Sequence, residues 1–334
     1  MTNTSDPSIT WRIFQDEFRD ILGPEPSIQT LLQINEFPFA HEAGIFLPDT
    51  NELFVTSNQF KGHAGEKTVQ VSKISLGADG GPVNLEKTKC DLIHMVNGGV
   101  NYKDGILICA QGSAIHPSGL FKMQTTYPYE AEPVITSYMG RPFNAINDVV
   151  VHRDSSIWFT DPSYGHDQGY RPMPSLPNAV YRYDLATESI RAVADGLGRP
   201  NGICFSPDYS TVYITDTDQV HGQLVDYGRA ASIYAFNVIQ RHGQPFLANR
   251  RLFALADTGI PDGIKCDTLG NVYSGCGDGV NVWSPGGVLL GKIIIPGGVA
   301  NFCFGFEGQL FALNEHQLWR VQLDKCVRGA LLHG

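Results

Sequence analysis

From residue 28 onward the chain is a succession of short runs in which apolar and polar residues alternate, each run stopping at a turn. The breaks fall at Asp49-Thr50-Asn51, Asp79-Gly80, Asp104-Gly105, Pro207-Asp208, Leu269-Gly270 and Pro285-Gly286. A period of two with such punctuation predicts strands paired as hairpins, and so an all-β fold. Only residues 11–22 carry another period. There Trp11, Phe14, Phe18 and Ile21 recur at helical spacing and Gly23-Pro24 follows. That pattern predicts a short amphipathic helix packed on the outside of the body.

The strands belong to a repeating unit. HEAGIFLPDTNELFVTSN begins at His41, NGGVNYKDGILICAQG at Asn97 and NDVVVHRDSSIWFTDP at Asn147. NGICFSPDYSTVYITDT begins at Asn201, DGIKCDTLGNVYSGCG at Asp262 and NFCFGFEGQLFALNE at Asn301. Each reads as a polar head, an apolar strand, a turn and a second apolar strand. The heads are Glu42, Asn97, Asn147, Asn201, Asp262 and Asn301, spaced by roughly fifty residues, the period of a four-stranded propeller blade. Six heads predict a six-bladed β-propeller. A generic β-sandwich would share the turns, but not heads that match in residue type as well as spacing.

The last hairpin is followed by one clear strand, Leu318–Leu323 (LWRVQL). A strand near residues 28–34 (IQTLLQI) is therefore expected to complete the last blade, which would otherwise keep an unpaired edge. Residues 1–27 are read as a helical extension and 28–334 as a single propeller domain.

In a propeller the first strand of each blade lines the axis, so the heads converge at one mouth. Glu42, Asn147, Asn201 and Asp262 then offer two carboxylates and two amide carbonyls, with Asn97 and Asn301 in the same ring. Any one of them alone is better read as a turn former. Four at the equivalent repeat position point to a hard divalent cation, Ca²⁺ first, with Mg²⁺, Mn²⁺ or Zn²⁺ as alternatives, leaving coordination positions for water and substrate. His41 and His166 are further candidates for the pocket wall. Asp148 and Asp161 flank the central hairpin and are expected in turn or edge roles, with support of the site from behind its ligands as the alternative. The chain has no HExxH, GxSxG or Walker sequence, which removes the zinc protease, serine hydrolase and nucleotide-binding readings.

Composition narrows the partners. The net charge is −10 and no basic run occurs, which argues against nucleic acid or an anionic membrane. A small-molecule substrate is the expected partner; oligomeric state is not legible. Seven cysteines cannot all pair, no CxxC is present, and the first residues, MTNTSDPSIT, lack a signal pattern. A reducing, cytoplasmic setting is expected.

HEAGIFLPDTNELFVTS, NDVVVHRDSSIWFTDPSYG, RPNGICFSPDYSTVYITDT, PDGIKCDTLGNVY and GVNVWSPGGVLLGKIIIP together resemble the superfamily of regucalcin (senescence marker protein), gluconolactonase and luciferin-regenerating enzyme. The match runs from about Glu42 to Leu323 and is most similar to its fungal lactonohydrolase-like branch, which includes secreted members. The resemblance implies six blades and an axial divalent cation, usually calcium, held by Glu42, Asn147, Asn201 and Asp262. It also implies that Asp262 serves as general base or nucleophile. Asn97, Tyr164, Arg199 and Asn301 become candidate substrate contacts. One departure is Glu42-Ala43-Gly44, where the family commonly has Glu-Gly-Pro.

The expected activity is metal-dependent opening of a lactone at the channel mouth. One alternative is a non-hydrolytic enzyme of secondary metabolism, of cyclase or pericyclase type, using the same pocket; Phe60, Phe143, Tyr164, Tyr170 and Met173 would suit its ligand. Another is a calcium-binding propeller without catalysis.

Overall fold

The computed structural model describes residues 10–62, 65–77, 83–222 and 224–333; the Asp79-Gly80 turn lies outside them. Its strands form six antiparallel blades around one axis. The first blade runs Glu42–Leu47, Glu52–Thr56, Val71–Ser75, Asn84–Lys87, and the second Val96–Tyr102, Gly105–Ala110, Gly119–Met123, Ala131–Ile135. The third is Val149–Val151, Ile157–Asp161, Ala179–Asp184, Ser189–Ala194, and the fourth Pro200–Phe205, Thr211–Asp216, Ser232–Arg241, Gln244–Leu255. The fifth is Ile264–Cys266, Val272–Cys276, Gly279–Trp283, Leu289–Ile294. The sixth combines Asn301–Phe304, Gln309–Asn314 and Gln317–Gln322 with Ser27–Gln33 from the other end of the chain.

That last pairing closes the ring as the sequence requires: Ile28 faces Val321 and Thr30 faces Trp319. The innermost strands of successive blades adjoin one another, and the sixth adjoins the first. The inner strands are covered on both faces; Pro200–Phe205 and Val272–Cys276 are buried throughout. The core is divided into clusters, each clamped between two neighbouring blades, as with Ile45, Phe54, Ile106 and Ile108 between the first and second. Cys109, Cys204, Cys266 and Cys303 are free, buried members of these interfaces.

The N-terminal segment differs from its helical expectation. Trp11–Ile13 is a strand added to the outside of the fifth blade, with Trp11 facing Ile293. The helix is only Glu17–Leu22. The open edge of Leu289–Ile294 satisfies the Trp11–Ile13 backbone at once, whereas a helix must first bear a costly nucleus. Phe18, Ile21 and Leu22 still bury against the fifth and sixth blades.

The chain's other end was not legible as structure. A 3₁₀ turn, Ala330–His333, lies at the hub beyond the inner strands, its entry tied by a bridge between Gly329 and Asp267. Leu331 and Leu332 wall a small apolar axial cavity with Phe46, Val100, Lys265 and Phe304. These residues follow the heads along the same strands, so the turn seals the end of the axis opposite to them.

Among the described residues no helix is long and apolar enough to cross a membrane.

Candidate functional site

The local fold re-aims the heads. Pairing within the first blade slips between Glu42 and Ile45, and within the fourth between Pro200 and Ile203. In the second blade the slip lies opposite Asn97 and Gly98. Such bulges take a side chain out of the sheet's alternation, and all three heads here open on the axial cavity. Ala43, beside Glu42, has φ 52°. That is a left-handed conformation which costs an alanine roughly 1–2 kcal/mol and a glycine almost nothing. This is the position where the chain departs from Glu-Gly-Pro.

Two further features pack the heads into a ring. Gly98 and Gly202 follow heads, and a Cβ at either would come within 2.5 Å of the next head's carbonyl oxygen, Asn147 or Asp262 respectively. The second strands of the first, third and fourth blades then each supply a hydroxyl. Thr56 Oγ1 donates to the Asn97 carbonyl (2.9 Å), Thr160 to that of Asn201 (2.6 Å) and Thr215 to that of Asp262 (2.9 Å). All three threonines are fully buried. Sequence reasoning missed this belt, although its signal was present: Val-Thr, Phe-Thr and Ile-Thr end the second strands of three repeats.

Asp148 and Asp161 are not turn or edge residues. Asp161 is buried and accepts the N–H groups of Asn144 (3.0 Å) and Ala145 (2.8 Å), bracing the segment that leads into Asn147. Asp148 accepts from Val149 (2.9 Å) and Ile203 (3.1 Å), joining the third blade to the fourth. Asp216 repeats the Asp161 device, accepting Gly198 and Arg199 N–H ahead of Asn201.

Glu42, Asn97, Asn147, Asn201 and Asp262 line one cavity of about 260 Å³, together with His41, Tyr164 and Arg199. Asn301 and His166 do not line it. Asn301 stands behind Glu42, its Nδ2 donating to Glu42 Oε2 at 2.6 Å. His166 is half-buried in the helix Tyr164–Asp167, whose Tyr164 faces the cavity instead. Arg199 is held by Asp167 (2.5 Å) and by the Val220 carbonyl (2.7 Å), so its charge anchors the loop over the cavity. Asn201 Nδ2 donates to the Tyr164 hydroxyl at 3.1 Å. Of the apolar candidates, Phe143 is core packing and Met173 is largely exposed.

The electrostatics favour a cation. Asn97 Oδ1, Asn147 Oδ1 and Asp262 Oδ1 are buried without a hydrogen-bond partner, and orphaned oxygens of this kind are costly in the interior. Burial, first, lifts the Glu42 carboxyl well above its ordinary range, and the Asp262 charge adds to the lift. Burial likewise raises Asp262, with Asp148 adding to it and His41 opposing it. Burial pulls the His41 imidazole down, but the bond to Glu315 Oε1 (2.8 Å) and the charges of Glu315, Glu42 and Asp262 prevail, and it is pushed up to about 9. Among the described residues no three His, Cys, Asp or Glu side chains form a metal cluster. The set here is of another type: two carboxylates and two neutral amides, all oxygen donors.

Sequence reasoning also missed Asn58, Gln59, Gln111 and Gln168 on the cavity wall and Glu315 behind His41. Asn58, Gln111 and Glu315 follow the second strands of their repeats but share no residue type with the other repeats there, and Gln59 and Gln168 lie in connections outside the repeats, so no common pattern marked any of them.

Comparison with known proteins gives concordant results. Residues 81–311 match the family model of the SMP-30/gluconolactonase/LRE-like region. The lactonohydrolase oryL of Aspergillus oryzae is 29% identical over 92% of this chain and 73% of its own length. The gluconolactonase of Zymomonas mobilis is 31% identical over 57% of this chain and 53% of its own. A gluconolactonase from Xanthomonas campestris of known structure superposes with a TM-score of 0.72 at 26% identity, covering 95% of this chain and 96% of that one. Regucalcin from Agrobacterium tumefaciens, described as a calcium-binding protein, gives a TM-score of 0.65 at 16% identity over 90% and 95% of the two chains, a likeness of fold alone.

Proposed function

The chain belongs to the SMP-30/gluconolactonase/LRE-like family, and from that premise we propose that it hydrolyses a lactone at the mouth of the axial channel. The lactonohydrolase and gluconolactonase relatives support the reaction class. The observation that carries the site assignment is the convergence of four heads on one cavity, with the buried oxygens of Asn147 and Asp262 left unpartnered. Glu42, Asn147, Asn201 and Asp262 would hold a divalent cation, Ca²⁺ before Mg²⁺, Mn²⁺ or Zn²⁺. When bound, the cation supplies Lewis-acid polarisation of the lactone carbonyl.

The chain's own groups do the rest. Asp262, its carboxyl raised toward neutrality by burial, is suited to general-base work near neutral pH. It takes a proton from water as the water oxygen bonds to the carbonyl carbon. The ring C–O bond then breaks, and Asp262 returns the proton to the departing alkoxide, giving the hydroxy acid. His41, charged and fixed by Glu315, offsets the two carboxylates. The cavity's carboxamides orient the ring.

The test is Asp262→Asn with a chromogenic lactone, with and without a chelator. Turnover should fall by about 10²–10⁴-fold, and in the native protein it should vanish on chelation and return with calcium. Native turnover in the variant would refute the assignment.

A further inference from the structure

The cavity at the heads has a second lobe. His41, Ile260 and Asp262 belong to both lobes, and beyond them a space of about 230 Å³ opens between the fifth and sixth blades. The Gly277, Gly297 and Gly298 backbones and the Ile260, Val299 and Ala300 side chains form its walls. The bareness of the walls is built in. Gly298 has φ +81°, and its Cβ would stand 2.8 Å from the Cys276 carbonyl oxygen; a Cβ on Gly277 would stand 3.0 Å from that of Thr258.

Hydrogen-bond accounting separates the two lobes. In the first, three buried side-chain oxygens have no partner. In the second, among the described residues and apart from the shared Asp262, no buried side-chain nitrogen or oxygen of the wall lacks a partner. The N–H groups of Gly277, Gly298, Val299 and Ala300 go to the carbonyls of Thr258, Ile295, Cys276 and Leu313. Asn314 Nδ2 donates to the Pro296 and Gly298 carbonyls. Glu315 Oε1 accepts from His41 and from Asn58. A hydroxylated group placed there would give up its water without finding a buried side-chain donor left free, whereas an apolar group gives up nothing and meets Ile260, Val299 and Ala300.

We propose that the second lobe binds an apolar substituent on the lactone ring, so that this chain acts on alkyl-substituted lactones. Asp262, at the junction, then stands beside the ring while the alkyl chain lies along the glycine wall. This inference rests on the lactonase reading, and its test distinguishes the two.

The native protein is given γ-lactones whose alkyl chain grows from none to six carbons. kcat/KM should rise about fourfold per methylene until the lobe is filled. Ala300→Leu fills the lobe, and should shrink the preference for the hexyl over the unsubstituted lactone by about tenfold or more; Ala300→Val is the smaller step should the leucine variant not fold. The matching γ-alkyl lactams, which bind without turnover, are titrated calorimetrically in parallel. Affinity that climbs with chain length in the native protein and not in Ala300→Leu supports the subsite even if no lactone is opened; in that case the hydrolytic reading fails alone. Rates and affinities indifferent to chain length, or an equal loss for every member in Ala300→Leu, would overturn the proposal.

Discussion

Asn301 offers the sharpest test of the ring. Its Nδ2 donates to Glu42 Oε2 at 2.6 Å, and both residues are almost wholly buried. In Asn301→Ala, Glu42 itself is unaltered but loses the donor that fixes it, and its carboxyl rises further because the amide now helps to hold it down, so the anionic form that a cation needs becomes harder to reach. A hydrogen bond to a charged group is worth about 1.5–3 kcal/mol, or roughly ten- to hundredfold in an equilibrium constant. The same range is typical when the partner of a metal ligand is removed. Calcium affinity, measured by competition with a chromophoric chelator, should fall by that factor. The calcium-induced rise in Tm should shrink with it. Asn301 Oδ1 also accepts the Phe302 N–H at 2.8 Å, so the metal-free variant should lose about 1 kcal/mol of stability as well. That loss is read separately, without calcium. A variant that binds calcium as tightly as the native protein would show that Glu42 is not a ligand, or that Asn301 does not position it.

Two other outcomes follow from the same geometry. Thr215 Oγ1 donates to the Asp262 carbonyl and accepts the Gly202 N–H, so Thr215→Val should cost about 2 kcal/mol or more, seen in thermal unfolding, and lower kcat; an unchanged Tm would remove the hydroxyl belt from the account. Because the Glu42 and Asp262 carboxyls are raised in the fold, the protonated pair contributes stability that is complete below the unfolded carboxylate range and lost as pH rises through the folded values. The metal-free Tm should therefore decline from about pH 5 to about pH 8, and calcium should raise Tm more at the higher pH; a larger gain at the lower pH would contradict the paired-carboxylate site.

The repeat was readable because a propeller imposes one local environment six times. Glu42, Asn97, Asn147, Asn201, Asp262 and Asn301 occupy equivalent positions, so a single pattern marked all of them. The terminal strand closure was readable for a related reason: an unfinished blade leaves a backbone edge that the chain must satisfy. By contrast, Trp11–Ile13 carried a helical period and still became a strand, since the edge of Leu289–Ile294 outweighed local preference.

What the sequence determined by itself was therefore the blade count, the ring of heads and their oxygen chemistry, all properties of the period. What only the tertiary structure decided was the division of labour within the ring. Asn301 supports Glu42 rather than facing the cavity, and Arg199 is tied to Asp167. His41 meets a glutamate 274 positions away, and a glycine-walled lobe opens beside Asp262. These follow from where unlike loops of different blades meet and from which polar groups each contact has already consumed, and no local pattern records either.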